Sequence, residues 1–172
     1  MKIQELLFSD KQRVNDWMRN KYSSEDINRF LSEELGIDYE MLWNLFVSDC
    51  KTMKVDETDL KTIDSLRSKF IAVLMTDNMD CFERFTVPTL KLDEHFDLIE
   101  SSHSRGNSKN DNEGKAYLDV IERIGSTIGS SVLIDDSPTT CGYFEKLGGR
   151  AFLVTNEKPL RYWLEKVTVI LD

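Results

Sequence analysis

The sequence predicts an α/β protein, a mostly parallel sheet with helices on both faces, preceded by a helical segment. Three observations carry this. From Lys69 onward short apolar runs alternate with stretches of helical periodicity, the pattern of repeated βα units with right-handed crossovers. The runs are apolar at consecutive positions, as in Val132-Leu133-Ile134, which suits strands covered on both faces. The first seventy residues read differently, mainly as amphipathic helices.

Taken in order, "SSEDINRFLSEELG" opens on a Ser-x-x-Asp cap and spaces Ile27, Phe30, Leu31 and Leu35 as one helical face. "DYEMLWNLFVSDC" carries Met41, Leu42, Leu45 and Phe46 in the same way, and "DETDLKTIDSLRSK" forms a third helix. "FIAVLMT" (Phe70–Thr76) is the first clear strand, and "DNMDCFERF" is a helix expected to stop before Pro88. "FDLIESS" is the next strand, and "HSRGNSKNDNEG" a polar loop. "KAYLDVIERIG" is an amphipathic helix through Ala116, Leu118, Val120, Ile121 and Ile124, stopped at Gly125. "SVLID" is a strand, "TTCGYFEKLGG" a helix, "RAFLVT" a last strand and "PLRYWLEKV" a closing helix.

With 172 residues there is room for one domain with a real core and a small insertion. The net charge of −9, with no basic cluster, argues against nucleic acid and anionic membranes as partners. No apolar run approaches a membrane span, and the N-terminal residues lack a signal-peptide layout. Cys50, Cys81 and Cys141 are odd in number and form no CxxC, which fits a reducing cytoplasm better than a disulfide framework or a zinc site. His95 and His103 are too few for a histidine-rich metal centre.

The chemistry gathers at strand ends. Asp135 and Asp136 close an apolar strand, although aspartate is a poor strand residue and costly to bury unpaired. Ser137 or Asp136 can cap the following helix, with Pro138 in its first turn. Capping accounts for one acceptor residue, whereas two adjacent carboxylates also suit a bound cation. Thr76, followed by Asp77 and Asn78, ends the first strand, and Lys109 follows the second. A hydroxyl, an ammonium and a carboxylate pair at one sheet edge suit a phosphoryl group held beside magnesium.

"LKLDEHFDLIESSHSRGNSKND" and "VLIDDSPTTCGYFEKLGG" resemble two motif stretches of the haloacid dehalogenase-like (HAD) hydrolase superfamily, and Thr76 matches its Ser/Thr motif. The resemblance spans about Lys61 to Thr155. It implies a Rossmann-like core and hydrolysis of a small phosphorylated substrate through a phosphoaspartyl intermediate, with magnesium as cofactor. It also implies that Thr76, with Asp77 and Asn78, and Lys109 hold phosphate, and that Asp136 supported by Asp135 holds the metal. Asn110 stands where the family has proline, and Thr140 where Asn or Asp is common.

The family's DxDx(T/V) nucleophile string occurs nowhere in the sequence. In "ELLFSDKQRV", Leu6–Ser9 read as a strand would make Asp10 the nucleophile and a metal ligand, with Val14 at the Thr/Val position. Gln12 then replaces the second aspartate and cannot act as general acid or base, and Arg13 replaces a glycine. Equally, Ser9-x-x-Gln12 is a capping box that opens a helix through Val14, Trp17 and Met18. The expected division is a core of residues 1–14 and 70–172 with a helical cap over 15–69, where substrate selectivity would lie. Two functional readings follow: a cytoplasmic HAD-like hydrolase of phosphatase type, or a catalytically silent relative that binds a phosphorylated ligand or a protein. A flavodoxin- or receiver-like domain fits less well, given the helical N-terminal part and the extended Ser-Gly-Lys loop.

Overall fold

A computed structural model describes residues 2–171. The chain is mixed α/β with parallel strands, as expected. It divides by packing into two compact units, residues 1–54, 73–94 and 98–108, and residues 55–72, 95–97 and 109–172. This division by packing is separate from the core-and-cap division expected from sequence.

The first unit opens with a wide π-helical turn, Gln4–Phe8, followed by α1 (Lys11–Met18), α2 (Ser24–Leu35) and α3 (Tyr39–Cys50). The strand reading of Leu6–Ser9 is therefore overturned. Helical winding puts Leu7 into a core with Trp17, Ile27, Leu31 and Leu42, whereas an extended chain would turn alternate residues away from it. The Ser23/Asp26 capping box starts α2 as the sequence indicates, and Gly36 ends it at φ 63°, in the left-handed region. Asp38 caps α3 by accepting from the Met41 N–H (2.9 Å). β1 (Val73–Thr76) and β2 (Leu98–Ser101) pair in parallel, Thr76 opposite Ser101.

Beyond β1 the chain is helical through Phe82–Thr86 and Val87–Leu90, so the expected stop before Pro88 does not occur. Proline lacks an N–H and its ring crowds the carbonyl four residues back. Here Phe82–Thr86 is wound as a π-turn, and Pro88 falls in the first turn of the α-helical segment after it, where its N–H is not required. A cavity of about 400 Å³ lies among these elements, lined by residues including Leu7, Leu31, Leu42, Phe46 and Asn78.

The second unit holds α4 (Glu57–Leu66), α5 (Lys115–Arg123), β3 (Val132–Asp135), α6 (Pro138–Lys146), β4 (Arg150–Leu153) and α7 (Leu160–Leu171). β3 and β4 are parallel, with α6 as the crossover. The predicted single sheet is thus seen as two parallel pairs, β1–β2 and β3–β4. Arg161 ties α7 to the start of α4 through Asp59 (2.9 Å) and Asp56 (2.5 Å). On α5, Ala116, Tyr117, Val120 and Ile121 are buried, while Leu118, expected on the apolar face, is exposed. Tyr117 meets Phe144 of α6 edge-on at 5.2 Å, and Trp163 stacks on Phe152 of β4 at 4.7 Å.

Gly149 lies against this core, and a Cβ there would overlap the buried Phe144 ring. Gly149→Ala should cost about 1–3 kcal/mol through overpacking. Thermal melting checks this, at roughly 2–4 °C per kcal/mol for a chain of this size.

No described helix is long and apolar enough to cross a membrane. All three cysteines are free.

Candidate functional site

In the second unit the strand that ends in two carboxylates is β3. Its Asp135 side chain is only 9% exposed and accepts a short ion-paired hydrogen bond from Lys109 Nζ (2.6 Å). It also accepts from the Ser137 N–H (2.9 Å), so the first turn after the strand is built around it. Ser137 is the residue that caps α6, its hydroxyl facing the Thr140 N–H, and Pro138 occupies the first turn. The capping role expected for Ser137 or Asp136 thus belongs to Ser137, and Asp136 is left exposed at the strand end. Asn110, where the family has proline, donates to the Thr140 hydroxyl (3.0 Å). The two departures from the family pattern therefore contact each other and pin the Lys109 loop to α6.

In the first unit Thr76, Asp77 and Asn78 follow one another off the carboxyl end of β1. Asp77 accepts from the Ser108 hydroxyl (2.5 Å) and from Arg105 (3.3 Å). The Asn78 N–H donates to Ser102 Oγ (2.9 Å), and that hydroxyl donates back to the Asn78 carbonyl (3.1 Å). Ser101 and Ser102 are fully buried: Ser102 locks the loop after β1, and Ser101 caps the helical turn Ser102–Arg105 by accepting from the Ser104 N–H. Sequence reasoning missed them. The signal available was two small hydroxyl residues at the end of a strand, where a polar side chain must find a partner.

Asp10 is the N-cap of α1. Its carboxylate accepts from the Arg13 N–H (3.0 Å) and from Arg13 Nε (3.3 Å). The Arg13 backbone N–H first, and its guanidinium second, hold Asp10 below the usual carboxylate range. Gln12 lies on the exposed side of α1 and donates to Asp16 (2.9 Å). The capping reading of this stretch is the one the structure shows, with Asp10 in place of Ser9 as the cap.

The donors suit magnesium in kind, being hard carboxylate oxygens. Among the described residues no group of three His, Cys, Asp or Glu side chains forms a ready-made cage. Magnesium usually takes one or two carboxylates and completes its shell with water and phosphate oxygens; both Asp135 oxygens are met by Lys109 and the Ser137 N–H, so exposed Asp136 is the carboxylate of the pair that would fit such an ion.

No family model matches the sequence, and no curated protein does. Solved structures match clearly. A predicted HAD-like family hydrolase from Porphyromonas gingivalis is 20% identical with a TM-score of 0.71, covering 99% of this chain and 87% of that one. A HAD family enzyme from Bacteroides thetaiotaomicron, in complex with magnesium and inorganic phosphate, is 14% identical with a TM-score of 0.72, covering 92% of this chain and 85% of that one. The fold of this chain is that of the haloacid dehalogenase-like superfamily, the family that the motifs around Thr76, Lys109 and Asp136 resemble.

Proposed function

We propose that this chain binds the phosphoryl group of a small phosphorylated molecule together with magnesium, as the ligand-holding part of a HAD-like hydrolase site. The observation that carries the reading is the Lys109–Asp135 pair at the carboxyl end of β3, with exposed Asp136 beside it. Lys109 supplies a charge-assisted hydrogen bond to a phosphate oxygen. Asp136 takes the metal, and Asp135 orients Lys109. When bound, magnesium screens the negative charge of the phosphate. The cytoplasmic setting and the core-and-cap division at residues 15–69 belong to the same proposal.

Hydrolysis through an aspartyl intermediate needs a carboxylate aimed at phosphorus. Asp10 is committed to the first turn of α1, so the chain by itself should turn over phosphate esters weakly or not at all. Calorimetry with magnesium and inorganic phosphate, alongside p-nitrophenyl phosphate turnover, tests this. Phosphate should bind only with magnesium, and Lys109→Ala should weaken it about 10- to 100-fold, the worth of a hydrogen bond to a charged group. Asp136→Asn should weaken magnesium, and Asp10→Asn should change neither affinity. Brisk turnover abolished by Asp10→Asn would instead make Asp10 the nucleophile.

A further inference from the structure

Cys50 and Cys81 stand far apart in the sequence and meet inside the first unit. Cys50 is the last residue of α3, and Cys81 immediately precedes the wide turn Phe82–Thr86. Thr86 follows Cys81 at the i→i+5 spacing of a π-turn, so the two lie on one side of the helical stretch. The Thr86 hydroxyl donates to the Cys50 carbonyl (3.1 Å), which holds the end of α3 against that same side. Both cysteines line the same cavity, both are half-buried, and their thiols interact with each other directly. Cys141 belongs to the second unit and is buried there.

The surroundings of the pair govern its reactivity. Burial above all, with the charges of Asp49 and Asp80, holds the Cys50 thiol above its ordinary range. Burial pushes the Cys81 thiol up to about 12, and the Cys50 and Asp80 charges act in the same direction. Both groups are therefore protonated at neutral pH, and only a thiolate is nucleophilic. Attack on an oxidant is slow and starts from Cys50. By the same physics no stabilised thiolate competes with an oxidised form, the opposite of strongly oxidising dithiols. A bond between these sulfurs closes slowly and, once closed, resists reduction.

We propose that Cys50 and Cys81 are a modification site, joined by a reversible intramolecular disulfide when the chain meets a low-molecular-weight disulfide of the glutathione class. The Cys50 thiolate attacks one sulfur of the small disulfide, whose bond breaks, and the first small thiolate leaves and takes up the proton lost by Cys50. The Cys81 sulfur, giving up its own proton, attacks the Cys50 sulfur of the mixed disulfide, and the second small thiol leaves with that proton. Two protein thiols are thus oxidised to one disulfide, and one small disulfide is reduced to two thiols. The chain leaves the first unit after residue 54 and returns to it at residue 73. The new bond closes a covalent ring around that excursion, which contains all of α4. When α4 opens locally, the end of α3 and the turn after β1 stay joined.

The test incubates the full chain with excess oxidised glutathione at about pH 8.5, near the ordinary thiol pKa. Free thiols are then blocked, the chain is digested with trypsin without reduction, and linked peptides are identified by mass. The bond should join Phe30–Lys51, which carries Cys50, to Phe70–Arg84, which carries Cys81. It should exceed any bond to Ile124–Lys146, which carries Cys141, by about tenfold or more, because a disulfide needs its two sulfurs adjacent. Dithiothreitol should remove it, and prior unfolding in urea should abolish the preference. The proposal is overturned if both thiols stay free, if glutathione remains on Cys50 without transfer to Cys81, or if the bond forms only between chains. An equal preference in the unfolded chain also overturns it, since nearness in the sequence would then account for the bond. The readout is made on the unaltered chain, so it does not depend on a variant that folds.

Discussion

Asp80→Ala should destabilise the protein by about 4 kcal/mol, in the range for removing one member of a buried charged network. The Asp80 side chain is 7% exposed and gathers four hydrogen bonds: from the Trp17 indole (2.8 Å), the Ser24 hydroxyl (2.6 Å), the Ser24 N–H (3.1 Å) and Arg84 (2.8 Å). These join α1, the first turn of α2 and the helical stretch after β1. Arg84 continues to Glu25 (2.5 Å), so the alanine variant leaves the indole and the serine, rather than the arginine, without a charge to meet. Burial pushes the Asp80 carboxyl up, but the bonds from Ser24, Trp17 and Arg84 together outweigh it and hold the group below its ordinary value. Its folded value thus lies below the unfolded one of about 3.9. The stabilisation is complete above roughly pH 4 and is lost as pH falls through the folded value. Urea unfolding at pH 7 and at acid pH checks both parts: Asp80→Asn should be less stable at pH 7 and lose less on acidification than the parent chain.

Lys109→Met should cost about 3 kcal/mol, because among the described residues it leaves the nearly buried Asp135 carboxylate only the Ser137 N–H. For a chain of this size that is roughly 6–12 °C in melting temperature. Asp135→Asn combined with Lys109→Met should recover part of the loss, since removing both charges leaves none uncompensated. Calorimetric melting of the two single variants and the double variant closes the cycle. Additive losses would mean that the pair is not coupled.

Asp80 shows what sequence reasoning could not reach. In "TDNMDCF" it reads as one more polar residue near a strand end, and its three partners lie about sixty residues back or one helical turn on. The available hint was Trp17, whose indole N–H needs an acceptor once the ring is buried. Local signals read better. The Ser23/Asp26 box, the Gly125 stop and the β3 strand with its terminal carboxylates all appear where the residues indicate. Lys109 and Asp135 were singled out separately from two strand ends, and the structure joins them. Pairing of strands is long-range information, so two separate parallel pairs could not be read from runs of apolar residues. At Asp10 the sequence carried both a capping and a strand reading. Tertiary burial decides between them, Leu7 from the π-helical turn and Trp17 from α1 entering the same core.

The wide turn at Phe82–Thr86 takes up a residue without turning the helix that follows it. An α-helix advances about 100° per residue, and a π-turn absorbs one extra residue without carrying that rotation forward. Upstream of the turn's end, Arg84 aims at Asp80 and Glu25; at its end, Thr86 donates its hydroxyl to the Cys50 carbonyl (3.1 Å) at the close of α3. Deleting one residue inside the turn would therefore restore ideal winding and leave the bearing of the helix beyond it unchanged, so the extra residue is a local accommodation that alters only what the turn itself presents.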